Sequence, residues 1–371
     1  MSAHAVTGMD EGASNLLGIS RAELERRFVA MGEKPFRARQ LMRWIYGRAV
    51  LQPQQMTDLA LSLRARLETS ASFDLPVVQA RQVAADGVVK WRLDAGHGQA
   101  IETVFIPESD RGTLCVSSQV GCAMDCSFCA TGRQGFNRNL SAAEIIGQVM
   151  LARQELGADG NSAVTNVVFM GMGEPLANLR TLLEAVDVLT DDLGFGLSRR
   201  RVTVSTSGLV PQLRKLAQSA RVALAVSLHA PDDALRDRLV PINRRHPIAE
   251  LLAACWDYVA QTNIRDVTFE YVLLEGINDS LSQAKQLAGL LRNRPAKVNL
   301  IPFNAFPGTR FGRSAPTVVD DFRQVLMDAG VMTITRKTRG DDIDAACGQL
   351  AGQVTNRVLS PLASKSQEAN A

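Results

Sequence analysis

The chain has 371 residues, 46% hydrophobic and 21% charged, with a formal net charge of only +3. That balance is ordinary for a folded globular protein of two domains, or one large α/β domain with an appendage. No apolar run approaches the roughly 20 residues that a spanning helix needs, and the first residues lack a signal-peptide pattern, so no membrane partner is expected. Six cysteines, three of them crowded into Cys122–Cys129, fit a reducing cytoplasm better than a disulfide scaffold. Positive charge is bunched in four places: Lys34 with Arg37, Arg39, Arg43 and Arg48; Arg199–Arg201; Arg244–Arg245; and Arg336, Lys337 and Arg339. Such clusters either bind phosphates or are solvated surface, and composition alone does not choose between them.

Residues 1–15 are small and polar and read as a disordered start. From Ser20 apolar residues recur at helical spacing (Leu24, Phe28, Met31), then again over Arg37–Ala49 (Leu41, Trp44, Ile45), and a third helix is expected from about Asp58 to Glu68. These define a small helical N-terminal accessory domain over 16–75. Its basic second helix offers Trp44 and Tyr46 as RNA-facing aromatics or as core; Trp44 is assigned to the core. Residues 76–112 form a short β extension with turns at Asp86-Gly87 and Gly96-His97-Gly98. Its last strand carries Glu102 among apolar neighbours, either on the solvent face of an edge strand, which is the favoured reading, or aimed into a site.

From Thr113 strand and helix alternate. Strands are expected near 113–118, 166–170, 202–205, 223–228, 267–273, 297–301 and 331–335, and helices near 141–154, 177–190, 210–219, 247–261, 280–292 and 318–328. Ser141 and Glu144 make a capping box at the start of the first helix. Six such units and a seventh strand predict parallel strands with right-handed crossovers, a partial (β/α)6 barrel over 113–355, followed by a tail over 356–371. In such barrels the chemistry sits on loops at the carboxyl ends of the strands.

Just past the first strand stands Gly121-Cys122-Ala123-Met124-Asp125-Cys126-Ser127-Phe128-Cys129. A structural zinc site takes four ligands and is closed; here three cysteines stand without a fourth nearby, unless His97 or His229 is borrowed. Three thiolates suit an iron–sulfur cluster, held one corner at a time, with one iron left open. Further strand ends carry Gly171-Met172-Gly173-Glu174-Pro175, Ser205-Thr206-Ser207-Gly208, Ser227-Leu228-His229 and Asn304. The glycines of the first segment let backbone approach a ligand closely, and Glu174 can accept a hydrogen bond from an ammonium. Hydroxyls at Ser205–Ser207 suit a carboxylate or a ribose. His229 reads as a core histidine, an acid/base or an adenosine contact, with its position favouring the contact. Cys255 lies in an apolar helix pattern and is structural; on the residues alone Cys115, in a strand expected to be core, and Cys347 are read as structural too, although Cys347 has the better case for function because it lies in a Gly-containing loop after the last strand.

The C-x3-C-x2-C spacing resembles the radical S-adenosylmethionine (SAM) enzymes. With Pro35-Phe36-Arg37-Ala38-Arg39-Gln40, Glu102-Thr103-Val104, Cys115–Cys122, the Gly171–Pro175 segment, Ser227–Ala230 and Cys347 in Asp344–Leu350, the chain from about 20 to 355 is similar to the dual-specificity RNA adenine-C2 methyltransferases of the RlmN/Cfr family. That resemblance implies a 4Fe-4S cluster on Cys122, Cys126 and Cys129 whose open iron binds SAM. It also implies SAM contacts from Gly173, Glu174, Ser205, Ser227, Leu228, His229 and Asn304. Two SAM molecules would serve each turnover. Cys347 would carry the methyl group as S-methylcysteine, Glu102 would act as base, and Cys115 would release the product by forming a disulfide with Cys347. Substrates would be 23S ribosomal RNA and transfer RNA, with a flavodoxin- or ferredoxin-like electron donor and a disulfide reductant. Nothing in the sequence demands a partner subunit, so a monomer is expected. The competing readings are a Cfr-like C8 methyltransferase, a radical SAM enzyme acting on protein or a small molecule, and a zinc-bearing RNA-binding module.

Overall fold

The computed structural model describes residues 14–158 and 164–356. The expected disordered start and tail lie almost wholly outside these residues. The start is nonetheless too long as drawn: Ser14–Asn15 (β1) pairs in parallel with Ala71–Ser72 (β2). Between them run α1 (Arg21–Ala30), α2 (Phe36–Met42) and α3 (Leu61–Ser70), with a π turn over Arg43–Gly47 carrying the second helix onward. Leu24, Phe28, Leu41, Met42, Ile45, Leu63 and Leu67 form the inner face of this layer. Trp44 and Tyr46 are both buried, the former with its indole N–H on Asp58 and the latter accepting a hydrogen bond from the Gly18 amide at 3.0 Å. Arg21 ties α1 to Asp191 and Asp192, and Arg153 reaches the Tyr46 carbonyl at 3.1 Å.

Ten strands form one sheet. Four run antiparallel as a meander: β3 (Val78–Val83), β4 (Val89–Asp94), β5 (Ala100–Pro107) and β6 (Gly112–Cys115). After β6 come the hairpin strands β7 (Gln119–Gly121) and β8 (Phe136–Asn139), with α4 (Ala130–Arg133) between them. The alternating part then follows as α5 (Ala142–Ala158), β9 (Asn166–Phe169), α6 (Leu179–Thr190), β10 (Val202–Thr206), α7 (Val210–Ser219) and β11 (Ala223–Ser227). It continues through α8 (Asp233–Leu239), α9 (Ile248–Thr262), β12 (Val267–Leu273), α10 (Leu281–Leu291), β13 (Ala296–Pro302), α11 (Pro316–Asp328) and β14 (Met332–Thr335). The sheet order is β14-β13-β12-β11-β10-β9-β6-β5-β4-β3, parallel from β6 to β14. This is the partial (β/α)6 barrel with a seventh strand. It stays open, because among the described residues β14 pairs only with β13 and β3 only with β4.

Parallel strands covered on both faces favour apolar residues throughout, which is why Ala223–Val226 reads as a continuous run, while Val267–Leu273 is interrupted by Thr268 and the buried Glu270. The helices bury one stripe each, such as Val210, Leu213, Leu216 and Ala217 of α7. The expected capping box forms: the Ser141 amide donates to Glu144 Oε2 at 2.8 Å and the Glu144 amide to Ser141 Oγ at 3.2 Å. Three expectations are corrected. The first parallel strand stops at Cys115 rather than 118, because the buried Gln148 side chain takes over as its partner, accepting from the Ser117 amide at 2.8 Å and donating to the Ser117 carbonyl at 3.0 Å. Helix α8, absent from the expectation, occupies the connection after β11. Finally, β5 is flanked by β4 and β6, so Glu102 does not lie on an edge strand.

Candidate radical SAM site

The cysteine loop is the tip of the β7/β8 hairpin and not a direct extension of the first barrel strand. The Cys122 amide donates to the Gly135 carbonyl at 2.7 Å, and Gly121 makes that approach possible, since a Cβ there would meet the Gly135 oxygen at 2.1 Å. Asp125 adopts a left-handed conformation at φ 52°, costly for a residue with a Cβ. The loop is fastened outward by the Ser127 amide on the Leu239 carbonyl (3.1 Å) and the Ala130 amide on the Gly348 carbonyl (2.9 Å). Cys122, Cys126 and Cys129 are half-buried free thiols. Burial raises the pKa of each, and their charges act on one another.

The donor set fits the implied cluster. Three soft thiols stand on one short loop, and between them the buried Ser127 hydroxyl has no hydrogen-bond partner, a donor free to address a cluster sulfur. Among the described residues no group of three or more His, Cys, Asp or Glu side chains is placed to hold a single ion; a four-iron cluster takes its thiolates one per iron.

The strand ends surround this loop. Glu174 is buried and its carboxylate is already engaged, accepting from the Leu176 amide (3.1 Å), the Ser207 amide (2.7 Å) and the Ser207 hydroxyl (2.8 Å). Burial raises its pKa, and the Ser207 hydrogen bonds oppose that rise. A carboxylate has about four acceptor positions, so little capacity is left for an ammonium. The neighbouring glycines serve the protein's own packing: a Cβ on Gly173 (φ +101°) would meet Gln119 Cβ at 2.5 Å, and one on Gly171 would meet the Val116 carbonyl at 2.7 Å. The close approach that these glycines allow is therefore to the segment 116–119. Ser205 is buried and Ser227 half-buried; Leu228 is buried and its amide donates to the Glu270 carbonyl at 3.1 Å.

His229 is buried, in a left-handed conformation at φ 60°. Its Nδ1 accepts from the Val272 amide at 3.0 Å, which places the proton of the neutral ring on Nε2. Its edge meets the Phe128 ring of the cysteine loop at 4.6 Å between centroids. Burial lowers its pKa to about 3, so the acid/base reading near neutrality is removed and the contact reading stands beside the structural one.

Across the barrel mouth the C-terminal loop brings Cys347, exposed, into the charge environment of Cys115 at the end of β6. Burial first, and Cys347 second, push the Cys115 thiol up to about 12, with Arg336 opposing. Arg336 Nη1 lies 3.4 Å from the Cys347 sulfur and its Nη2 is 3.8 Å from Glu270 Oε1. Asn304, expected among the SAM contacts, holds the loop: its Nδ2 donates to the Cys347 carbonyl at 3.3 Å and its Oδ1 accepts from the Thr338 hydroxyl at 3.2 Å. Glu102 is buried; its Oε2 accepts from the Ala351 amide at 2.9 Å, and Lys90 Nζ stands 3.5 Å from Oε1. The loop is pinned further by the Thr131 hydroxyl on the Leu350 carbonyl (2.6 Å) and the Ala100–Gln353 bridge.

Sequence reasoning missed Arg336 as a site residue, because it stood in a basic cluster that read as phosphate-binding or solvated. Two of its members are used internally, Arg336 at the Cys347 sulfur and Arg339 in a pair with Asp86 at 2.8 Å, while Lys337 is exposed. It also missed Glu270, buried with Oε2 unpartnered, and the fully buried Arg236.

The chain matches two known families: residues 14–73 the ribosomal RNA large subunit methyltransferase N-terminal domain, and residues 116–288 the radical SAM superfamily. Among solved structures it is similar to a radical SAM methyltransferase from Sphaerobacter thermophilus, with 46% identity over 91% of this chain and 99% of that one, at a TM-score of 0.85. A domain of a pyruvate-formate lyase-activating enzyme from Bacteroides vulgatus is more distant, with 21% identity, 46% and 99% coverage and a TM-score of 0.36. So is SuiB from Streptococcus suis, at 13% identity, 63% and 55% coverage and a TM-score of 0.44. With both domains matched and the first structure aligned over nearly its whole length, the chain belongs to the radical SAM methyltransferases of the RlmN family.

Proposed function

We propose that this methyltransferase places a methyl group on C2 of an adenine in 23S ribosomal RNA and in transfer RNA, by way of a methylated Cys347. The observation that carries this reading is that the loop bearing the exposed Cys347 comes back, from more than 200 residues further along the chain, onto the paired strands that carry Glu102 and Cys115. Adenine C2 lies between two ring nitrogens and is too electron-poor to attack a methyl donor; a carbon radical can add to it. When bound, the cluster on Cys122, Cys126 and Cys129 with SAM supplies the radical that removes a hydrogen from the methyl group.

The remaining work falls to the chain. Cys347 receives its methyl from a first SAM and, after hydrogen removal, bonds through that carbon to C2. Glu102, whose carboxylate is held beside the loop by the Ala351 amide, takes the C2 proton. Cys115 then attacks the Cys347 sulfur: the S–CH2 bond breaks as the S–S bond forms, the released carbon takes a proton to become the product's methyl group, the unpaired electron left on the ring by the radical addition would return to the iron–sulfur centre that supplied it, and an external thiol reductant resets the disulfide. At neutral pH Cys115 stands as a thiol, so its attack requires loss of its proton, and Arg336 is the cation that favours the resulting charge. Gly173, Glu174, Ser205, Ser227, Leu228 and His229 line the SAM side, while Asn304 positions the Cys347 loop. Exposed Lys34, Arg39, Arg43, Arg48, Arg199–Arg201, Arg244 and Arg245 supply phosphate contacts to RNA. A low-potential iron–sulfur or flavin protein donates electrons to a cytoplasmic monomer. Among the described residues no helix is long and apolar enough to cross a membrane.

Replacing Cys115 by alanine tests the order of events. The account expects RNA to remain covalently attached to the protein after denaturation, with free methylated RNA lost. Free product at the wild-type rate from Cys115→Ala, or from Cys347→Ala, would sink the S-methylcysteine route.

A further inference from the structure

Arg236 of α8 is fully buried, yet it stands at the junction of the two parts of the site. Its Nη2 donates to the carbonyls of Ser207 (2.7 Å) and Ser227 (3.0 Å), and its Nε donates to that of Leu228 (3.1 Å). These are the ends of β10 and β11, the wall that carries Ser205 and His229. The fourth bond, from Nη1, goes to Asn243 Oδ1 at 2.9 Å. Asn243 in turn donates to Asp237 (2.6 Å) and Asp233 (3.0 Å), so these carboxylates are hydrogen-bonded to Arg236 only through a neutral amide, although their charges act on it. Among the described residues Arg236 forms no salt bridge.

The neighbouring face of the same helix packs against the cysteine loop. Leu235 and Leu239 join Phe128 and Ala130 in one apolar cluster, against which Cys126 and Cys129 pack, and the Leu239 carbonyl receives the Ser127 amide. Burying a cation without a carboxylate partner costs stability; an apolar residue of similar length would cost less. What the arginine supplies in return is the fork that pairs three strand-end carbonyls at once.

We propose that Arg236 is a positioning residue with two linked tasks: its fork fixes the strand-end carbonyls of the SAM wall, and its buried charge favours the reduced state of the cluster held by the three cysteines. The inference rests on the radical SAM reading, and the wild-type protein controls for it: a reconstituted wild type without a cluster signal would overturn that reading and not the role of Arg236 alone. Fork and charge separate by substitution, because lysine keeps the charge but cannot reproduce four fork bonds.

In reconstituted protein poised with dithionite, electron paramagnetic resonance gives the cluster potential, and equilibrium dialysis gives SAM affinity. Arg236→Met is expected to lower the potential by at least the equivalent of a tenfold change in the redox equilibrium, about 59 mV for one electron, and to weaken SAM binding tenfold or more. Arg236→Lys is expected to keep the wild-type potential and still lose SAM affinity. If the methionine variant does not fold, Arg236→Gln removes the charge while keeping donors. A wild-type potential in the neutral variant, or wild-type SAM affinity in Arg236→Lys, would overturn the inference.

Discussion

The two sides of the barrel mouth are built differently. On the side of β9, β10 and β11, buried polar groups satisfy one another: Glu174 accepts three hydrogen bonds and Arg236 donates four. On the other side Cys347 is exposed, and its own backbone and sulfur have Asn304 and Arg336 as partners. Fully satisfied buried networks rigidify and fix geometry, which suits holding a cofactor through every turnover. A reactive sulfur that must meet SAM, then RNA, then Cys115 needs access instead. Rigidity and access are thus assigned to different elements, the strand ends and a loop fastened on either flank of its thiol.

Substitutions on the exposed side should break chemistry while sparing cofactor binding. Cys347→Ala is expected to abolish RNA methylation, a loss of more than about 10³-fold if it removes the covalent route, while deoxyadenosine release in the presence of SAM and reductant continues; retained methylation by mass spectrometry would contradict the assignment. Glu102→Gln should slow methylation by on the order of 10²–10⁴-fold, the range for loss of a general base, with adduct accumulating on a denaturing gel; an unchanged rate would exclude it as base. On the satisfied side the effects should fall on affinity. Ser207→Ala removes one hydrogen bond to a buried carboxylate, worth roughly 1.5–3 kcal/mol for a charged partner, and should weaken SAM binding about tenfold with the chemical step at saturation nearly unchanged.

His229 sharpens the comparison through pH. Its folded pKa of about 3 lies below the unfolded value of about 6.5, so between these values the unfolded chain binds more protons. Stability therefore falls as pH drops from about 6.5 toward 3, by at most about 1.4 kcal/mol per pH unit, and is insensitive to this group above 7. His229→Gln should flatten that slope in denaturation curves taken at pH 4 to 7; an unchanged slope would assign it to other groups. The smallest effect is expected at the start of α5, where Ser141→Ala removes a capping box and should cost about 1 kcal/mol without altering methylation.

Much of this was legible before the fold. The alternation of short strands and helices announces itself by its periodicity and the cysteine loop by its spacing, both local signals. What stayed hidden depends on neighbours distant in sequence. Glu102 reads as a solvent-facing residue until β4 and β6 close on both its sides. Helix α8, Asp-Ala-Leu-Arg-Asp-Arg-Leu, has too few apolar residues to show a period, and Arg236 is buried only because two strands deliver their carbonyls to it. Gly171 and Gly173 announce a close approach without saying to what, and the answer is the chain's own segment 116–119. The roles given to the site residues rest on the family resemblance together with these placements.

The most direct test is an anaerobic reaction of reconstituted protein with methyl-deuterated SAM, a reductant, and unmethylated ribosomal and transfer RNA, followed by mass spectrometry of the nucleosides. The account predicts labelled 2-methyladenosine in both RNAs, with one deuterium missing because the methyl carbon passes through a methylene bound to Cys347. A product retaining all three deuteriums would contradict that route, and 8-methyladenosine in place of the 2-isomer would contradict the assigned position.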